Sequence, residues 1–255
     1  MGTRHKSSKR VRRRNPRAIG FAVFMSLALI AVVGMAWAVT SRNSQTDGSY
    51  ASTYTPAPPA PVEVVPRIAF VGDSFTAGTG APAGLGYTEF AAKNFGMVDQ
   101  VTGEPSSGYI TPGKLQRTMG QLIQIATKQS PAPEVVVLAS GYNDNLGSPP
   151  DREAIRPAIR EAFAAARTNN WGDSTIVVVG PWTPTGAPSA NQIAVNDVLR
   201  EEAAASGFAF IDSIATGLVT PDMIGDDKIH PTPAGHRILG ERIAAHLQGL
   251  VPAQP

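Results

Sequence analysis

From Pro66 onward the chain alternates short apolar runs with longer segments of helical spacing. This alternation limits the fold more than any other feature. Arg67-Ile68-Ala69-Phe70-Val71, Val135-Val136-Val137-Leu138-Ala139, Thr175-Ile176-Val177-Val178-Val179 and Phe208-Ala209-Phe210-Ile211 are continuous runs of strand length, and Met97–Val101 is a weaker fifth. Runs without an inside/outside alternation suit strands covered on both faces, as in a parallel sheet. Helical patterns fall between them, over Tyr87–Phe95, Leu115–Lys128, Arg152–Asn169, Asn191–Ser206 and Pro233–Leu247. Pro157 is expected near the start of the third or at a kink. Gly207 is a stop signal for the fourth. The expected fold is α/β, a three-layer α/β/α sandwich. No internal repeat is present.

The N-terminal quarter has a different character. Residues 1–17 carry eight Lys and Arg and no acid, so the remaining chain holds 14 Lys and Arg against 20 Asp and Glu. A domain with that negative balance lacks the basic footprint of nucleic-acid binding, and no nucleic-acid partner is expected. Ala18–Thr40 is an uncharged stretch of 23 residues. As a helix it reaches roughly 35 Å, enough for a bilayer core. Positive charge stays cytoplasmic, so a single-pass signal anchor over 18–40 is expected, following a basic cytoplasmic tail over 1–17. Cleavage near Ala36-Trp37-Ala38 and secretion is the alternative. Either way the rest of the chain is extracytoplasmic. Residues 41–65 read as a Pro/Ser/Thr-rich linker, rich in polyproline-forming sequence. A catalytic domain over 66–249 and a tail over 250–255 complete the organisation. There is no cysteine, which removes disulfides, thiolate nucleophiles and zinc–cysteine sites.

Four short motifs carry chemistry. Gly72-Asp73-Ser74-Phe75 follows the first strand, and ligands in open α/β sheets bind beyond the carboxyl ends of strands. Ser74 is a candidate nucleophile, although Gly-Asp-Ser alone also describes a polar turn. No Gly-x-Ser-x-Gly elbow is present, which argues against an ordinary α/β-hydrolase. Asp227-Lys228-Ile229-His230 supplies a base and an acid from one loop. A serine hydroxyl needs a neighbouring base, and a carboxylate on the far ring nitrogen fixes the histidine tautomer. His230 is favoured over His236 and His246, which fall on the last helix, and Asp226 is a rival to Asp227. Gly141-Tyr142-Asn143-Asp144 follows the Val135 strand, and the Asn143 side chain is a candidate oxyanion donor, or part of an Asn/Asp turn. Ser107-Gly108-Tyr109 follows the weaker strand, where Gly108 N–H is a candidate second donor or a turn glycine.

In this order, at strand ends, the four motifs resemble the SGNH (GDSL-type) hydrolase family over roughly residues 66–249. The resemblance implies a flavodoxin-like sandwich with sheet order 2-1-3-4-5. It implies Ser74 as nucleophile and first oxyanion N–H, Gly108 as second N–H, Asn143 as side-chain donor, and His230 as base with Asp227 as its partner. It implies no cofactor and no metal. Many members carry an Asn shortly before the second-motif glycine. Val101 and Thr102 stand there instead, which leaves Gly103 as an alternative N–H donor.

The expected activity is serine ester hydrolysis through an acyl-enzyme. The expected substrate is an ester-bearing small molecule, or a small acyl group on an envelope glycan or lipid. Tyr142 and Trp182 are candidate pocket walls, with core packing the other reading of Trp182. An acyltransferase using the same residues and a non-enzymatic glycan-binding module are the alternatives.

Overall fold

The computed structural model describes residues 16–43 and 65–251, with side chains of the first helix described from Met25 to Ser41. The chain divides into two compact units, Met1–Pro61 and Val62–Pro255. In the first, α1 runs over Pro16–Asn43. Its apolar side chains from Met25 to Val39 are exposed. Among the described residues no helix is long and apolar enough to cross a membrane. Most of the expected basic tail and linker, and the end of the C-terminal tail, lie outside the described residues.

In the second unit β1 (Arg67–Gly72), β2 (Val98–Gly103), β3 (Val135–Ala139), β4 (Thr175–Val179) and β5 (Ala209–Ile211) form one parallel sheet. Its order is 2-1-3-4-5, as the family resemblance implies. The three central strands are apolar beyond their first residues because both faces are covered. Ala69, Val71, Val136, Leu138, Ile176 and Val178 pack on one side against α3 (Met119–Ala126), α4 (Arg152–Ala166) and α5 (Ala190–Ala205). Their strand neighbours Ile68, Phe70, Val135, Val137, Val177 and Val179 pack on the other against α2 (Tyr87–Lys93) and α6 (Pro233–Leu247). The two-residue period of a strand divides one continuous run into two cores. Each fully buried Val or Ile contributes about 1.5–3 kcal/mol. β2 is an edge strand and is mostly exposed or half-buried, which is why its sequence signal is weak.

Local chemistry sets the helix boundaries. α4 starts at Asp151, whose side chain accepts Glu153 N–H. Ser189 and Gln192 form a capping box for α5, and Gly207 (φ 66°) follows its end. Thr232 caps α6 by accepting Gly235 N–H, with Pro233 in the first turn. The helix expected from Leu115 starts only at Met119. Leu115 N–H donates instead to the buried Glu104 Oε1 (2.7 Å), and Thr118 and Gln121 form the capping box that opens α3. Pro157 lies inside α4, two turns from its cap.

Candidate active site

The sheet brings the motifs to one edge. Gly72 is level with Gly103 on β2 and Ala139 on β3, and Ala139 is level with Val179 on β4. The segments after these four positions therefore leave the sheet together, where an open α/β sheet binds its ligands. Gly72 has no room for a side chain, since a Cβ would lie 2.1 Å from Ala139 O. The chain then closes a tight turn, with Ala77 N–H donating to Asp73 O (2.9 Å) and Thr79 N–H to Ser74 O (3.0 Å). Ser74 sits at its apex, nearly buried. Its own N–H has no acceptor among the described residues.

Ser74 Oγ lies 2.9 Å from His230 Nε2, and His230 Nδ1 lies 2.6 Å from Asp227 Oδ2. Asp227 Oδ1 accepts the N–H groups of Ile229 (3.0 Å) and His230 (2.9 Å). This folds the acid and base of one four-residue segment against each other, with Lys228 at φ 63° as the bend. The Asp227 carboxyl is held down at about 2, first by the bond from the His230 ring and then by the two backbone donors. It therefore stays ionised and keeps the proton on Nδ1, leaving the Nε2 lone pair to the serine. The partner of His230 is Asp227, not Asp226. Gly80 brings the two loops into contact. At φ 98° its missing Cβ would lie 2.2 Å from Pro231 O, next to His230.

Asn143 is half-buried, and its Nδ2 donates one bond to Ser107 O (2.9 Å), leaving a second N–H. Gly108 does not meet its expectation as an oxyanion donor. Its N–H is directed to Thr111 O (2.8 Å) within its own loop. Its lack of a side chain answers a different need, because a Cβ there would lie 2.3 Å from Asp144 Oδ1. Gly103, the alternative donor, closes β2 against the serine turn, and a Cβ would lie 2.4 Å from Ala77 N.

Trp182 is not a pocket wall. It is fully buried, stacked on Phe75 with ring centroids 4.9 Å apart, and its Nε1 donates to Asp73 Oδ1 (3.1 Å). Burial wins at this position because the indole finds both a ring and an acceptor inside. Tyr142 is half-buried and lines a cavity of about 460 Å³ with Pro184, Thr185, Pro188 and Ser189.

Asp73 and Asp144 carry roles that sequence reasoning did not assign, and His236, expected on the last helix, carries a structural one. Asp73, fully buried, accepts Phe75 N–H (3.0 Å) and Trp182 Nε1–H, while its Oδ2 has no partner. Burial pushes its carboxyl up to about 7. Asp144 accepts the N–H groups of Tyr109 (2.8 Å), Ile110 (2.9 Å) and Thr111 (3.0 Å), pinning the Gly108 loop to the Asn143 loop. His236 is buried; its Nδ1 accepts Tyr87 N–H (3.2 Å) and its Nε2–H donates to Thr79 O (2.9 Å). The first two stand inside the quoted motifs, and their acidity at a strand end was the available signal. Among the described residues no group of three or more His, Cys, Asp or Glu could hold a metal ion.

Comparison with known proteins places this geometry. Residues 70–238 match the model of the GDSL-like Lipase/Acylhydrolase family. A GDSL lipase of Mycobacterium tuberculosis is 32% identical over 187 residues, covering 69% of this chain and 79% of the relative. The unit resembles a family two carbohydrate esterase from Clostridium thermocellum (TM-score 0.58, 18% identity, 78% of this chain and 67% of that one). It also resembles a lipase/acylhydrolase from Enterococcus faecalis (TM-score 0.53, 17% identity, 75% and 100%). At those identities the structural likenesses establish the fold, while the family match and the mycobacterial relative establish kinship. The chain belongs to the GDSL-like lipase/acylhydrolase (SGNH) family of ester-cleaving enzymes.

Proposed function

We propose that the chain is an extracytoplasmic serine ester hydrolase that removes small acyl groups from an envelope glycan or lipid ester. The observation that carries the reading is the continuous chain Ser74 Oγ–His230–Asp227, with links of 2.9 and 2.6 Å. In the proposed reaction His230 Nε2 takes the Ser74 proton as Ser74 Oγ bonds to the ester carbonyl carbon. The carbonyl electrons move onto oxygen, held by the Ser74 N–H, which has no partner among the described residues, and the remaining Asn143 amide N–H. The carbonyl re-forms, the C–O bond to the alcohol breaks, and His230 gives its proton to the departing oxygen. Water then attacks the acyl-enzyme, passes its proton to His230, and Ser74 leaves carrying that proton.

The location rests on the sequence. Eight bases followed by the uncharged Ala18–Thr40 stretch favour a single anchor with the enzyme unit outside. Full-length protein in detergent, assayed on p-nitrophenyl acetate and butyrate beside a Ser74→Ala variant, tests the activity. Turnover abolished in the variant supports it. Equal turnover in both, or none by a folded wild type, refutes it. Protease protection of the second unit in intact cells would refute the location.

A further inference from the structure

The cavity beside Tyr142 is bound to the nucleophile turn by a series of hydrogen bonds. Gln192 Nε2 donates to Trp182 O, Trp182 Nε1 to Asp73 Oδ1, and Asp73 in turn accepts Phe75 N–H, one residue from Ser74. On the other wall Asn191 Nδ2 donates to Asp144 O and Asn191 Oδ1 accepts Leu146 N–H, fixing the loop that carries Tyr142 and Asn143. The cavity walls are therefore held in place by hydrogen bonds, one series of which ends on the serine turn. At about 460 Å³ it has the size of a small-ligand site.

Its chemistry is neutral. No charged residue lines it. The first turn of α5 opens on it, but two of that turn's donors are spent, Ser189 N–H on Gln192 Oε1 (2.8 Å) and Gln192 N–H on Ser189 Oγ (3.2 Å). This weakens any attraction for an anion. Tyr142, Pro184 and Pro188 present flat apolar faces. Polar edges remain between them. The Tyr142 hydroxyl has no partner among the described residues, the Ser189 hydroxyl accepts a bond and keeps its proton, and the Thr185 hydroxyl donates to Ala187 O and keeps lone pairs. Flat C–H faces edged by hydroxyl donors and acceptors match an uncharged sugar ring better than an alkyl chain, which would strand those hydroxyls.

We propose that this cavity is a subsite for an uncharged sugar ring of the ester substrate, with Tyr142 as its specificity-determining residue. The proposal rests on the esterase reading above. It is tested with full-length enzyme and two variants, Tyr142→Ala and Tyr142→Phe. The substrates are a partially O-acetylated xylo-oligosaccharide and p-nitrophenyl acetate, and the unacetylated oligosaccharide serves as inhibitor. Loss of one aromatic contact is expected to lower the ratio of kcat/KM for sugar ester over p-nitrophenyl acetate by about 3- to 10-fold. It should raise the oligosaccharide inhibition constant by a similar factor. Tyr142→Phe should retain most of the inhibition by keeping the ring. An unchanged ratio in Tyr142→Ala overturns the proposal. So does a wild type that cleaves p-nitrophenyl esters but neither binds nor cleaves the sugar probes. A wild type that cleaves no ester refutes the parent reading instead.

Discussion

Trp182 and Asp73 meet beneath the nucleophile: the indole Nε1 donates to Asp73 Oδ1 across 3.1 Å, and both side chains are fully buried. The acid of the Gly-Asp-Ser motif is thus an internal strut for the serine turn. Phe75 N–H bonds the same oxygen and the Phe75 ring stacks on the same indole.

This strut is sensitive to pH. Burial raises the Asp73 carboxyl from 3.8 to about 7. The folded state then holds more protons than the unfolded chain between those values, so stability falls as pH rises through that window. At about 1.4 kcal/mol per tenfold shift, the ionised carboxylate costs roughly 4 kcal/mol above pH 7. Asp73→Asn keeps the acceptor oxygen and cannot ionise. Urea midpoints at about pH 4 and about pH 8 should show the variant gaining on wild type at the higher pH. A constant difference would contradict the buried-acid account.

Asp227 behaves in the opposite way. Its carboxyl, about half exposed, is held at about 2, below the unfolded value, so its contribution persists above pH 4 and fades only as pH falls toward 2. Asp227→Asn should leave the fold intact and lower kcat by as much as about 10⁴-fold, because an amide can hold the wrong tautomer. Steady-state kinetics and a melting curve separate the two effects. A loss below tenfold would remove Asp227 from the machinery.

Asn143 has one amide N–H on Ser107 O and one left for substrate. Asn143→Ala should cost about 10²–10³ in kcat with KM little changed, as expected for a donor used mainly in the transition state. An unaltered rate would reject it as an oxyanion donor.

The strands of this fold were legible because a doubly covered sheet writes its core into consecutive residues, as Val135–Ala139 and Thr175–Val179 show. The meeting of Ser74 with His230 and Asp227 was legible because Ser74 follows a strand and the acid and base share one short loop. Trp182 and Gly108 were not. Exposure and backbone bonding depend on what arrives from distant segments: Phe75 against Trp182, and Thr111 and Asp144 against Gly108. The start of α3 was missed because Glu104, eleven residues away, takes the backbone donor of Leu115.

Gly80 marks the contact between the serine turn and the histidine loop. Gly80→Ala would force a Cβ to 2.2 Å from Pro231 O at a φ of 98° that alanine rarely adopts. Relief requires moving the loop that holds His230. A displacement of that kind should cut kcat by at least about tenfold, alongside about 1–3 kcal/mol of lost stability. Gly225→Ala, whose nearest neighbour would lie at an ordinary 3.5 Å, is the control in the same loop system. Equal effects of the two changes would refute the contact argument.

His236 binds α6 to the active-site turn in its neutral form only, because Nδ1 must accept from Tyr87 while Nε2–H donates to Thr79 O. Tyr87 N–H and Thr79 O face the ring directly. Among charged groups His230 contributes a weaker repulsion, behind burial as the main cause holding the imidazole below its ordinary 6.5. Below that value the unfolded chain takes up a proton that the folded chain refuses, so stability falls as pH drops. His236→Gln retains an acceptor and a donor but does not titrate. The wild-type minus variant difference in unfolding free energy should shrink steadily as pH is lowered from about 7 to about 5. A difference that grows toward acid would mean that His236 is charged in the fold, and the neutral bridge between Tyr87 and Thr79 would be wrong.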